Sequence, residues 1–149
     1  MIYIPEYFDL QELACPHIFK KFGKVTWQFF DPRLLKTLDW LRESLNKPIF
    51  VNSWQIGGSL DERGFRCIKC ELVKKAIEEK RLYVSPHMTG QGADFDVKGM
   101  TPTEVRLWLG KHEADLPFAI RLEKNVDWVH LDVRDATTKP DQKIVYFNP

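Results

Sequence analysis

The sequence predicts a single α+β domain built on a largely antiparallel sheet with flanking helices, and three observations carry that expectation. Its 149 residues suit one domain with a real core and leave no room for a second. Helical periodicity dominates the first half and period-two alternation the second, without the regular strand–helix alternation that a parallel sheet demands. No repeat, low-complexity tract or Pro/Ser-rich linker divides residues 1–149.

Taken in order, Asp9-Leu10-Gln11-Glu12 opens a short helix. The clearest helix runs from Asp31 to about Asn46: Asp31 caps it, Pro32 takes the first helical position, and Leu34, Leu38, Leu41 and Leu45 recur at helical spacing. Pro48 then forces extension, and Ile49-Phe50-Val51 reads as a short buried strand before the Gly57-Gly58 turn. A stretch from about 59 to 84 reads as an insertion. It contains an amphipathic helix, Glu71 to Arg81, with Leu72, Val73, Ala76 and Ile77 on its apolar side. Thr101-Pro102-Thr103-Glu104 combines a capping box with proline at the first position and starts a helix reaching about His112. Ala93 to Val97 alternates, sending Ala93, Phe95 and Val97 to one face and Asp94 and Asp96 to the other. Trp128 to Arg134 does the same, with Val129, Leu131 and Val133 inward and His130, Asp132 and Arg134 on the polar face. Phe118 to Leu122 and Ile144 to Phe147 complete the strand candidates.

Composition removes several function classes. With 22 Lys and Arg against 21 Asp and Glu, a net charge of +1 sets up no global field for nucleic acid or an anionic membrane. Hydrophobic residues at 44% and aromatics at 13% supply a core and exclude wholesale disorder. No apolar run approaches the roughly 20 residues of a membrane span, and the opening residues lack the basic and apolar regions of a secretory signal. The expectation is a cytoplasmic monomer without membrane insertion. Three cysteines, Cys15, Cys67 and Cys70, are too few for a disulfide scaffold.

The segment Ser85 to Asp94 carries the chemistry. It sets an imidazole, His87, and a carboxylate, Asp94, seven positions apart, with Gly90 and Gly92 permitting the turn that brings them together. Zinc takes such nitrogen and oxygen ligands, and if the strands bearing Asp94 and His130 are neighbours, three ligands converge and leave a fourth position open. Taken singly, the same residues also read as a hydrogen-bonded His beside a turn, a solvated strand face, and a His130–Asp132 pair.

Together these residues resemble the zinc D-alanyl-D-alanine carboxypeptidase family, which includes D-Ala-D-Ala dipeptidases and phage L-alanyl-D-glutamate endopeptidases, of hedgehog-type fold. The pattern Ser-x-His-x-x-Gly-x-(Ala or Gly)-x-Asp is met at Ser85, His87, Gly90, Gly92 and Asp94, and the second motif, an acid two residues before a His, at Asp127-Trp128-Val129-His130. The opening Phe8 to Pro16 also looks like the start of the phage and bacterial branch. The resemblance implies zinc held by His87, Asp94 and His130, Asp127 as catalytic acid/base on a metal-activated water, and a peptidoglycan stem peptide as substrate. Strand parity would turn Asp127 into the core, so it must sit on a turn, which Asn125 favours.

One position departs from the family. Where members carry Ser-Gly-Tyr-Arg, this chain has Asn52-Ser53-Trp54-Gln55, and Gln55 donates a hydrogen bond but brings no charge. Arg63 and Arg66, in the insertion, are the candidate replacements, and with Ser85 and Gln55 they form the expected substrate-binding set. Cys67-Ile68-Lys69-Cys70 supplies only two metal ligands and reads as buried thiols or a local clasp, while His17 and His112 read as solvated or capping residues. Trp54 and Trp128 adjoin site residues. Two functions follow from this reading: a stem-peptide zinc peptidase, in keeping with a phage lysis enzyme released to the cell wall, or a non-catalytic cell-wall-binding or virion module of the same fold.

Overall fold

Among the residues described by the structure, a computed structural model covering 1–135, 137 and 139–149, five helices and five strands follow one another. They are α1 (Leu10–Leu13), α2 (Pro16–Phe22), α3 (Pro32–Leu45), β1 (Ile49–Phe50), α4 (Glu71–Glu78), β2 (Gly92–Val97), α5 (Pro102–Lys111), β3 (Ile120–Glu123), β4 (Val129–Asp132) and β5 (Ile144–Phe147). The strands form one sheet in the order β1-β2-β4-β3-β5, antiparallel throughout except for the parallel β3·β5 pair. This is the expected α+β arrangement.

Local chemistry explains the helix starts. The Asp31 carboxylate accepts from the Arg33 amide at 2.9 Å and Pro32 pre-sets the first turn of α3, which buries Leu34, Leu35, Leu38 and Leu41. Asn46 ends it in the left-handed region at φ 49°. Thr101 and Glu104 exchange hydrogen bonds across the first turn of α5. Two segments depart from the sequence reading. α2 gives regular form to the helix-like segment around His17, and the 3-10 turns Gly23–Phe29 escape the sequence reading because their aromatics do not fall into one stripe. α4 stops at Glu78 because Lys80 turns left-handed at φ 53° and the Arg81 amide closes onto the Ala76 carbonyl at 2.9 Å. It buries Val73 and Ala76, while Leu72 and Ile77 face solvent.

The sheet has two unlike faces. Ala93, Phe95, Val97, Val129, Leu131 and Val133 join the α3 leucines and Val105 and Leu109 of α5 in one apolar core. The opposite face carries Asp94, His130 and Asp132, yet all three are buried. The insertion covers them: the Asp94 amide donates to the Arg63 carbonyl at 2.7 Å, so residues near 63 run alongside β2. The neighbouring Phe65 amide donates to the Leu13 carbonyl at 2.7 Å, and a Cβ on Gly64 would collide with that carbonyl.

Gly90 makes the turn between His87 and Asp94. Its φ is +68° and a Cβ would collide with the Phe29 carbonyl, so a side chain meets both torsional strain and backbone. Gly90→Ala is expected to destabilise the fold by about 1–3 kcal/mol. A urea-unfolding midpoint equal to that of the parent would contradict this.

Candidate metal centre

Strand register assembles the first part of the site. β2 and β4 pair with Asp94 opposite His130, so the two side chains emerge side by side on the polar face. His87 arrives from the turn at 85–90. One ligand atom from each of His87, Asp94 and His130 lies within 4.8 Å of the others, and all three residues are buried. His130 Nδ1 stands 2.7 Å from Asp94 Oδ1, and His87 Nε2 stands 3.4 Å from Asp94 Oδ2. The cluster is one that can hold a metal ion.

The groups behind these side chains fix which atoms face inward. His87 Nδ1 donates to the Gly64 carbonyl at 2.8 Å, which leaves Nε2 with its lone pair toward the cluster. Burial, the main influence, holds the His87 pKa below its usual value, opposed by Asp94, so the ring stays neutral. His130 Nε2 donates to Asp132 Oδ2 at 3.1 Å and presents Nδ1 to Asp94. Arg121 in turn grips Asp132 with two contacts of 2.8 Å. A carboxylate behind one imidazole and a carbonyl behind the other is how metal-binding histidines are commonly oriented. The donor set fits a divalent ion.

Electrostatics agree with that fit. His130 lies between two carboxylates, and although burial opposes its charging, hydrogen bonds to Asp132 and Asp94 push its pKa up to about 9. A proton on Nδ1 and a metal ion there serve the same purpose, and metal binding would displace that proton. Burial would raise the Asp94 pKa, but the two imidazoles outweigh it and keep the carboxyl far below its usual range. Asp132 is likewise held low by His130 and Arg121 against its burial.

The cleft over the cluster is lined by Ser85, Arg66, Arg121, Glu123 and Trp128 among others. Arg66 is buried and donates to Asp94 Oδ2 at 3.0 Å and to the Tyr83 hydroxyl at 2.9 Å, so the insertion delivers a cation to the site. Ser85 Oγ accepts from the His87 amide at 3.3 Å, a role in shaping the turn. Arg63 points elsewhere, pairing with Asp96 at 2.6 Å. Gln55 donates to the Asn52 carbonyl at 3.3 Å and is not among the cleft residues.

Asp127 occupies the β3–β4 turn, as strand parity requires, but lines a neighbouring cleft with Arg106, Lys124 and Asn125. The turn is held there by Arg106, whose guanidinium donates to the Trp128 and Val126 carbonyls at 3.0 and 3.2 Å, and by Asn125 at φ 61°. Besides the candidate ligand Asp94, the metal cleft is lined by Glu123, at the end of β3, whose pKa is raised chiefly by burial. Sequence reasoning passed over Glu123; its place in a strand ending next to β4 is the signal available. His17, read from the sequence as solvated or capping, instead belongs to a cluster. Cys15, His17, Cys67 and Cys70 form a second group with ligand atoms within 4.8 Å of one another.

Comparison with known proteins adds no relative: no family model matches the chain, and neither a curated protein nor a solved structure matches it.

Proposed function

We propose that this chain is a zinc-dependent metallopeptidase that hydrolyses peptide bonds in peptidoglycan stem peptides. The observation that carries the reading is the meeting of His87, Asp94 and His130 in one buried cluster, each imidazole oriented from behind. These are the positions that the Ser85–Asp94 and Asp127–His130 motifs single out, and the resemblance supplies the substrate. Two imidazoles and one carboxylate suit zinc better than magnesium or calcium, which prefer all-oxygen shells. When bound, zinc supplies a Lewis acid that activates water and polarises a carbonyl. No helix among the described residues is long and apolar enough to cross a membrane, which agrees with a lysis enzyme acting on the wall after release.

The chain's own residues divide the remaining work. Glu123, raised by its burial and lining the cleft, is placed to hold and move the proton between water and leaving amine. Arg66 places a guanidinium at the cleft for a developing oxyanion or a substrate carboxylate, taking the part for which Gln55 is uncharged. Arg121 and Arg134 add positive lining that suits the carboxylates of stem peptides.

The test is hydrolysis of purified stem peptides, followed by mass spectrometry. Zinc-loaded protein should release products, lose activity with a chelator and regain it with zinc. The product identifies a terminal or an internal cut. Zinc-loaded protein that leaves every stem peptide intact would favour the non-catalytic cell-wall-binding or virion module. Within the peptidase reading, Arg66→Ala should lower kcat/KM about 10²-fold. Arg63→Ala should leave it at the parental level, because that guanidinium goes to Asp96. Equal losses in both variants would remove Arg66 from its assigned part.

A further inference from the structure

The peptidase reading uses none of the cysteines, yet the fold gathers all of them. Cys15 precedes α2 and His17 lies in its first turn, whereas Cys67 and Cys70 close a tight turn ahead of α4, with the Cys70 amide donating to the Cys67 carbonyl at 3.0 Å. Backbone pairing brings these distant segments together: the Cys15 amide donates to the Phe65 carbonyl at 3.1 Å. Cys70 Sγ then lies 3.8 Å from His17 Nδ1. The Cys67 and Lys69 amides point at the sulfurs of Cys70 and Cys67, each at 3.3 Å. Cys15 and Cys70 are fully buried.

We propose that Cys15, His17, Cys67 and Cys70 form a second, structural zinc site. Three thiolates and one imidazole make the closed tetrahedral donor set of structural zinc, with no position left for water or substrate. One ligand atom from each of the four lies within 4.8 Å of the others, the convergence a small ion requires. Amides directed at sulfur stabilise the thiolate form that binds metal. A disulfide between any two cysteines leaves the third sulfur and His17 without a purpose, whereas one zinc ion engages all four.

The site lies where the fold lacks other support. Between the turn at Trp54–Ile56 and α4 the chain has no helix or strand, and the apolar cluster beneath the insertion consists of Cys15, Cys70 and Val73 with a few half-buried neighbours. So small a core holds a long irregular segment poorly, and a metal cross-link supplies what it lacks. The anchored segment is also the one that matters to the cleft. Arg66, next to Cys67, reaches Asp94, and the Gly64 carbonyl orients His87. The cysteine site thus positions two groups of the catalytic cleft while touching neither substrate nor the first metal. Its existence does not depend on the peptidase reading.

The experiment uses the full chain carrying His87→Ala and His130→Ala, purified anaerobically and loaded with cobalt(II) in place of zinc. One cobalt per chain with an intense thiolate-to-metal charge-transfer band is expected. All three thiols should resist a disulfide reagent until a chelator is added. His17→Cys should keep the metal with a stronger charge-transfer band, and His17→Ala, which removes a ligand, should weaken binding by more than the roughly 10- to 100-fold that loss of an outer-shell partner costs. Should the double variant fail to fold, the same thiol-protection measurement on the zinc-loaded parent reads the site directly. Thiols that react at once in the metal-loaded protein, or cobalt bound without the charge-transfer band, would overturn the proposal.

Discussion

Glu123→Gln is expected to fold, to keep its metal and to lose about 10² to 10⁴ in turnover on stem peptides, the range for removal of a general base. The amide keeps the shape of the side chain but no longer accepts a proton. Its position at the end of β3, in the cleft that holds His87 and His130, is what assigns it the role. Asp127→Asn is the informative companion. With Asp127 lining a separate cleft beside the tethered β3–β4 turn, the Asn variant should retain parental turnover. A large loss in Asp127→Asn with Glu123→Gln active would return the acid/base role to Asp127, as the motif resemblance has it, and would require the turn to reorient when substrate binds.

The second large effect is expected from a residue that touches no metal. Asp132 receives the Nε2 proton of His130 and is clamped by Arg121. Asp132→Ala frees the imidazole to rotate or change tautomer and leaves the Arg121 guanidinium without its partner. Removing such an outer carboxylate typically weakens metal binding 10- to 100-fold. Calorimetric titration of the metal-free protein with zinc reads the change. Affinity equal to the parent's would mean that the orientation of His130 is set elsewhere. Arg121→Ala should produce a smaller change in the same direction, because Asp132 keeps the Arg134 amide at 3.1 Å.

What was legible in the sequence follows from how local each signal is. Capping residues and periodicity placed α3 and α5, since Asp31, Pro32 and Thr101 act within a turn of their own helices. Alternation placed Asp94 and His130 on the polar side of their strands, but the register that sets them opposite each other is a long-range fact. Alternation alone left that side open to two readings, a solvated face or a converging set of ligands. Its burial depends on the insertion crossing it, which no pattern in residues 59 to 84 announces. Asp127 was correctly put on a turn, yet the direction of that turn is dictated by Arg106 on a separate helix. Cys67 and Cys70 read as buried thiols or a local clasp because the residues that complete the cluster, Cys15 and His17, are some fifty positions away in sequence and join them through the pairing of Ala14 with Phe65.

The peptidase reading rests on His87, Asp94 and His130 together holding one zinc ion. The most direct measurement is the number of zinc ions taken up per chain by the metal-free protein, compared with the His87→Ala, His130→Ala double variant under the same conditions. The double variant should bind one ion fewer than the parent while the rest of its zinc, held at the cysteine cluster, is unchanged. Equal uptake by the two proteins would contradict that assignment.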